Sequence, residues 1–180
     1  MVRDREEVPD GLPPFDAWQD AAQEGQEARE VVSESEAAPG QTSGDTMIAA
    51  ELLQAVIDAA REGVPNEACG LLVAPDYVAD GGYPTRYVPL RNAAESPYRY
   101  MIDPQEQLKV WIELEDAGEV PWAIVHSHVA SLAVPSATDI GLAFFPDSLY
   151  VICSLAGDVP TVRAWSIRDQ QVTEVTLAVA

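Results

Sequence analysis

Positive charge is what this sequence has least of. Ten Lys and Arg face thirty Asp and Glu across 180 residues, a formal net charge of −20. Binding to a phosphate backbone relies on clustered cations that displace counterions, so this balance argues against nucleic acid as a partner. The acidity is not confined to one end: residues 1–46 hold twelve acids and three bases, and residues 47–180 hold eighteen and seven. Long apolar runs are missing too. None approaches the ~18 residues that a membrane span requires, and the opening MVRDREEVPDG lacks the apolar centre of a secretion signal. The expected compartment is the cytoplasm, with no membrane partner. Cysteine is limited to Cys69 and Cys153, which gives no disulfide framework and no paired C-x-x-C spacing, and fits a reducing environment. Histidine is equally scarce, with only His126 and His128.

The length suits one ordinary domain with its own core. Residues 1–46 mix Pro, Gly, Ser, Glu and Gln with few aliphatic side chains. Such a segment buries too little to offset the entropy of ordering it, so it is expected to be an acidic, disordered tail. Within it LPPFDAW has the look of a docking motif, although an isolated aromatic pair is more often passive. The compositional break just before Met47 also raises the possibility that translation starts there.

From Thr46 onward the pattern becomes structural. Ile48, Leu52, Leu53, Val56, Ile57 and Ala60 recur at helical spacing, with Gly63 and Pro65 to stop them. ACGLLVAP predicts a buried strand and TRYVPLRN a second one broken by Pro89. DPQEQLKVWIELEDAG predicts a helix with Asp103 as N-cap, Pro104 in the first turn, Glu106 closing a capping box and Gly118 as terminator. PWAIVHSH predicts a strand ending in the histidines, and PSATDIGLAFF a helix opening at Ser136. SLYVICSLA, TVRAWSIR and QQVTEVTLAV predict three further strands, the last two joined as a hairpin through Asp169. Helices and strands interleave and then strands run together, so the fold class is α/β with a mixed sheet flanked by helices. Trp111, Trp122, Trp165, Cys69 and Cys153 are expected in the core.

Alternating side chains along a strand put His126 and His128 on one side and Ser127 on the other. Two imidazoles at such a spacing can share a metal ion, with Asp139 in the next helix as a third ligand; such a set leaves one tetrahedral position open, as catalytic zinc sites do. The spacing alone does not decide this. An H-x-H pair is also found on strand surfaces, and Asp139 three residues after Ser136 equally completes a capping box.

In order and spacing, however, the sequence resembles the JAB1/MPN/Mov34 (JAMM) metalloprotease family. That pattern has an upstream glutamate, then H-x-H, ten residues and an aspartate, with a serine three residues before the aspartate. Here these positions are Glu67 in NEACGLL, His126 and His128, Asp139, and Ser136 in PSATD. Beyond the motif, NEACGLL, RNAAESPYRYMIDPQEQLKVW and HSHVASLAVPSATDIGLA are similar to a small bacterial branch of the family, one that includes an actinobacterial peptidase releasing cysteine from a sulfur carrier. The resemblance covers residues 47–180. It implies a cytidine-deaminase-like αβα sandwich and one Zn2+ per chain held by His126, His128 and Asp139. It further implies Glu67 as general base and then acid, and Ser136 as donor to the oxyanion. The implied substrate is a ubiquitin-like sulfur-carrier protein ending in Gly-Gly, cleaved to free cysteine.

Val129 stands where many eukaryotic deubiquitinases of the family have proline, and the chain has no room for their ubiquitin-gripping insertions. Cleavage of ubiquitin chains is therefore not expected. Three rivals remain at this stage: a carrier-maturing peptidase that trims residues beyond Gly-Gly, a non-catalytic scaffold of the same fold, and a RadC-like nucleic-acid-associated protein. The last would need a basic groove, which the composition does not offer.

Overall fold

The structure is a computed structural model and describes residues 46–180. The expected tail, with its LPPFDAW stretch, lies outside the described residues except for Thr46. The elements are β1 (Thr46–Ile48), α1 (Ala50–Gly63), β2 (Cys69–Ala74), a single 3-10 turn at Val78–Asp80, β3 (Arg86–Leu90), α2 (Pro104–Ala117), β4 (Val120–His128), α3 (Ala137–Gly141), β5 (Leu149–Ser154), β6 (Thr161–Arg168), β7 (Gln171–Val175) and β8 (Leu177–Val179).

Six strands form one sheet in the order β3-β2-β4-β5-β6-β7. All neighbours are antiparallel except β4 and β5, which run parallel. A parallel pair needs a crossover, and residues 129–148, which contain α3, supply it. The sheet is thus mixed, as expected.

Alternation along the strands divides the core in two. Leu72, Ala74, Val125, Val151 and Cys153 join Val56 and Ala60 of α1 on one face, while Leu71, Val73, Ile124, Ile152, Trp165 and Ile167 join Val110 and Leu114 of α2 on the other. This is a helix–sheet–helix sandwich. Along β4 the alternation is interrupted once: Leu72 pairs with Ala123 and Val73 with Pro121, so Trp122 is the extra residue of a bulge. Trp122 therefore turns to the α1 side with Ala123, and its indole N–H donates to the Gly82 carbonyl at 2.9 Å.

Several local expectations are met by the atoms anticipated. Asp103 accepts hydrogen bonds from the amides of Gln105 and Glu106, and Gly118 ends α2 at φ 64°. Asp169 and Gln170, at φ 49° and 62°, form the two-residue turn that a tight hairpin prefers. Others are corrected. Ile48 does not begin α1. It sits in β1, which pairs in parallel with β8 at the far end of the chain, and that distant partner overrides the helical spacing. QQVTEVTLAV is accordingly two strands, β7 and β8. Pro89 does not break β3, because β3 is an edge strand with one unpaired side, where a missing N–H is tolerated. Glu106 closes no capping box; its carboxylate accepts from the Arg91 amide at 2.7 Å, tying the chain before α2 to the helix. Trp111 is only half-buried, tilted against Phe145 with ring centroids 5.1 Å apart.

Trp122 is fully buried and Val159 is 76% exposed. Trp122→Ala is expected to lower unfolding stability by ~3–5 kcal/mol, and Val159→Ala by no more than ~0.5 kcal/mol, in denaturant titrations followed by far-ultraviolet circular dichroism.

Candidate metal centre

The site lies where β4 ends beside its parallel neighbour, the place where open α/β sheets leave a crevice. His126 and His128 occupy the last turn of alternation in β4 and face the α2 side, whereas Ser127 faces α1. The following loop returns to open α3, with Ser136 as N-cap. There Ser136 Oγ accepts from the Asp139 amide at 3.2 Å and the Asp139 carboxylate accepts from the Ser136 amide at 2.7 Å. The capping box weighed from the sequence is therefore real. It does not compete with a ligand role, because it fixes the Asp139 carboxylate in the direction of the histidines.

The Nε2 atoms of His126 and His128 are 3.2 Å apart. Asp139 approaches His126 Nε2 through Oδ1 at 3.4 Å and His128 Nε2 through Oδ2 at 3.5 Å. Donors bound roughly 2.0 Å from a tetrahedral ion stand about 3.3 Å from one another, so the three side chains already have the spacing of such a set. Tautomers agree with this. His128 Nδ1 lies 2.7 Å from the Leu132 carbonyl, which can only accept, so Nδ1 carries the proton and the Nε2 of a neutral ring is a bare lone pair. His126 is oriented differently, by its ring: Tyr100 stacks on it at 4.3 Å between centroids and 19° between planes. Its Nδ1 is buried without a hydrogen-bond partner. Two imidazoles and a carboxylate, all at or below 5% exposure, fit a metal site; the group is the one set of three such side chains found among the described residues.

Electrostatics describe the same cluster. Burial works against the Asp139 carboxylate, but the charge of His126 and hydrogen bonds from His126, His128 and Ser136 outweigh it and hold the group well below the usual carboxylate range. Burial also opposes a charged His128, yet Asp139, the Leu132 carbonyl and Glu67 together raise its pKa. Glu67 is the converse case. The residue is 4% exposed, and burial pushes its pKa up to about 8, with His128 pulling it down and Asp139 pushing it further up. A cation among the imidazoles would draw it lower.

The register explains why Glu67 is here. Cys69 pairs with His126 in the antiparallel β2–β4 ladder, and the Ser127 amide donates to the Ala68 carbonyl at 2.9 Å. Two residues before Cys69, Glu67 is therefore level with His128. Glu67, His126, His128, Ser136 and Asp139, dispersed over seventy-three positions of sequence, are brought to one place. Cys69 and Cys153 are buried free thiols, pushed by burial up to about 12 and about 11. Neither is poised as a nucleophile. Sequence reasoning passed over Tyr100 and Asn92, because a stacking ring and a backbone clamp have no spacing signature.

Residues 49–168 match the family model described as prokaryotic homologs of the JAB domain. The chain belongs to this family and is a hydrolase of the JAMM type. The CysO-cysteine peptidase of Mycobacterium tuberculosis is 44% identical to it over 129 residues, 71% of this chain and 86% of the relative. A desampylase of Haloferax volcanii is 35% identical over 130 residues, 69% of this chain and 91% of the relative. Among solved structures, a Desulfitobacterium hafniense protein superposes with a TM-score of 0.66 at 34% identity, covering 74% of this chain and 92% of its own. A JAB1/MPN domain protein from Archaeoglobus fulgidus, 20% identical, shares the fold at a TM-score of 0.50 over 74% of this chain and 98% of its own. No helix among the described residues is long and apolar enough to cross a membrane.

If the three donors act as one set, the full chain should bind one divalent ion per molecule, read by mass spectrometry of metals after dialysis. Asp139→Ala and His128→Ala should each abolish stoichiometric binding. Glu67→Gln, outside the set, should retain it; a metal-free Glu67→Gln protein would place Glu67 among the ligands instead.

Proposed function

We propose that this chain is a zinc-dependent peptidase that hydrolyses the bond after the C-terminal Gly-Gly of a ubiquitin-like sulfur carrier and releases cysteine. The observation that carries the catalytic part of this reading is the convergence of His126, His128 and Asp139 beside a buried Glu67. Similarity to CysO-cysteine peptidase and to desampylases supports a ubiquitin-like protein as the substrate class.

His126, His128 and Asp139 would hold zinc, which would supply a Lewis acid. The protein's own groups do the rest. Glu67, in a site that favours its protonated form more than water does, accepts a proton from the attacking water and returns it to the leaving amine. A base that must later act as an acid works best with a pKa near the working pH. Ser136 uses its oxygen lone pair to accept from the Asp139 amide, which leaves its O–H free to donate to the oxyanion. The cap and the oxyanion donor are thus compatible, because they use opposite ends of one hydroxyl. An exposed Ser136 beside a buried Asp139 suits a site that receives a chain end from solvent.

A carrier ending in Gly-Gly-Cys should lose one cysteine when incubated with the full chain, as read by intact mass. Chelator should stop the reaction and added zinc restore it. Glu67→Gln should lower kcat by roughly 10³-fold with metal still bound, and Ser136→Ala should lower it by roughly 10²-fold. Removal of several residues beyond Gly-Gly instead would support a carrier-maturing peptidase, and bound metal with no cleavage of any such carrier would defeat the peptidase reading.

A further inference from the structure

The peptide group that follows Glu67 is gripped from both sides by side chains. Its carbonyl accepts from Asn92 Nδ2 at 2.8 Å. Its N–H, that of Ala68, donates to Ser127 Oγ at 2.8 Å. From Cys69 onward β2 is paired through its backbone with β3 on one side and β4 on the other. Glu67 stands two residues before that double ladder begins, beyond the last strand pairing, that of the Ser127 amide with the Ala68 carbonyl at 2.9 Å. The two side chains replace it there, and the Glu67 amide is held separately by the Ser96 carbonyl at 2.9 Å.

Asn92 has no spare capacity. Its Nδ2 also donates to the Arg99 carbonyl at 3.2 Å, and its Oδ1 accepts from the amides of Ala94 and Met101, each at 3.0 Å. One amide side chain therefore joins Glu67 to both ends of the loop that carries Tyr100, the ring stacked on His126. Ser127 is 1% exposed and lies between the two histidines in sequence, its hydroxyl on the opposite face of β4. The same strand that presents the imidazoles thus also fixes the backbone of the glutamate.

We propose that Asn92 and Ser127 are positioning residues for Glu67, clamping the Glu67–Ala68 peptide so that the carboxyl is aimed at the His126–His128–Asp139 group. A buried carboxylate gains by moving to water, so its aim has to be enforced through its backbone. The proposal rests on the reading of Glu67 as the base.

The test uses the full chain carrying Asn92→Asp, Asn92→Ala or Ser127→Ala. Asp keeps an acceptor for Ala94 and Met101 but loses the donor to the Glu67 and Arg99 carbonyls, whereas Ser127→Ala loosens the same peptide without touching the loop, so that the two together separate clamping from shaping of the loop. Amide exchange at Ala68, followed by NMR without substrate, should quicken at least about tenfold in Asn92→Asp and Ser127→Ala. On the Gly-Gly-Cys carrier, kcat should fall about 10- to 100-fold, with KM within about twofold and metal per chain unchanged. In a Glu67→Gln background Asn92→Asp should cause no further loss, because Asn92 acts through Glu67. Unchanged exchange at Ala68, unchanged kcat, an effect on KM alone, or additive losses would each overturn the proposal. Should Asn92→Ala fail to fold, Ser127→Ala and Asn92→Asp still decide it. If Glu67→Gln turns over like the unaltered chain, the reading of Glu67 as base has failed and the aiming role is overturned with it; Ala68 exchange then reports only whether the clamp exists.

Discussion

The antiparallel register between β2 and β4 is the constraint on which the site depends. Pairing Cys69 with His126 sets Glu67 level with His128, and a slip of one residue would turn either side chain to the wrong face of the sheet. The bulge at Trp122 contributes to this. It absorbs the extra residue at the start of β4, so that Trp122 fills the α1 side while His126 and His128 still face α2. The Ser127–Ala68 bonds carry the register one residue past the end of the regular ladder.

Around that register the protein buries two carboxyl groups and two imidazoles within one small volume, an arrangement that is unfavourable unless each group is paired. The pairings are unequal. Asp139 accepts from the Ser136 amide, lies against both imidazoles and is stabilised as the anion. Glu67 has its backbone bound, and burial favours the neutral form of its carboxyl. Two carboxyl groups that feel one another's charge are thereby given different proton affinities, the difference that the proposed roles of ligand and proton carrier require.

Much of the architecture was legible because local rules and tertiary context agreed. The α2 cap and terminator, the Asp169 turn and the buried runs of β2, β4 and β5 involve short-range geometry, and they form as the residues demand. Errors arose where a distant segment intervened. Ile48 has helical spacing but β8 offers it a strand partner, and Pro89 is acceptable only because β3 turned out to be an edge. Glu106 had the position of a capping-box residue and found the Arg91 amide instead.

By itself the sequence determined which side chains were available for chemistry: a single pair of histidines at strand spacing, an aspartate bound into a helix N-terminus, and a resemblance that added Glu67 and Ser136. Strand alternation and helix capping are local, so they already pointed His126 with His128 and Asp139 towards a following turn. Tertiary structure alone decided that these groups meet and that Glu67 joins them. It also recruited Asn92, Ser127 and Tyr100, whose contacts span chain separations that no periodicity encodes. Their role depends on the pairing of β2 with β4 and on the return of the 92–102 loop over His126, and that proximity exists only once the sheet has closed.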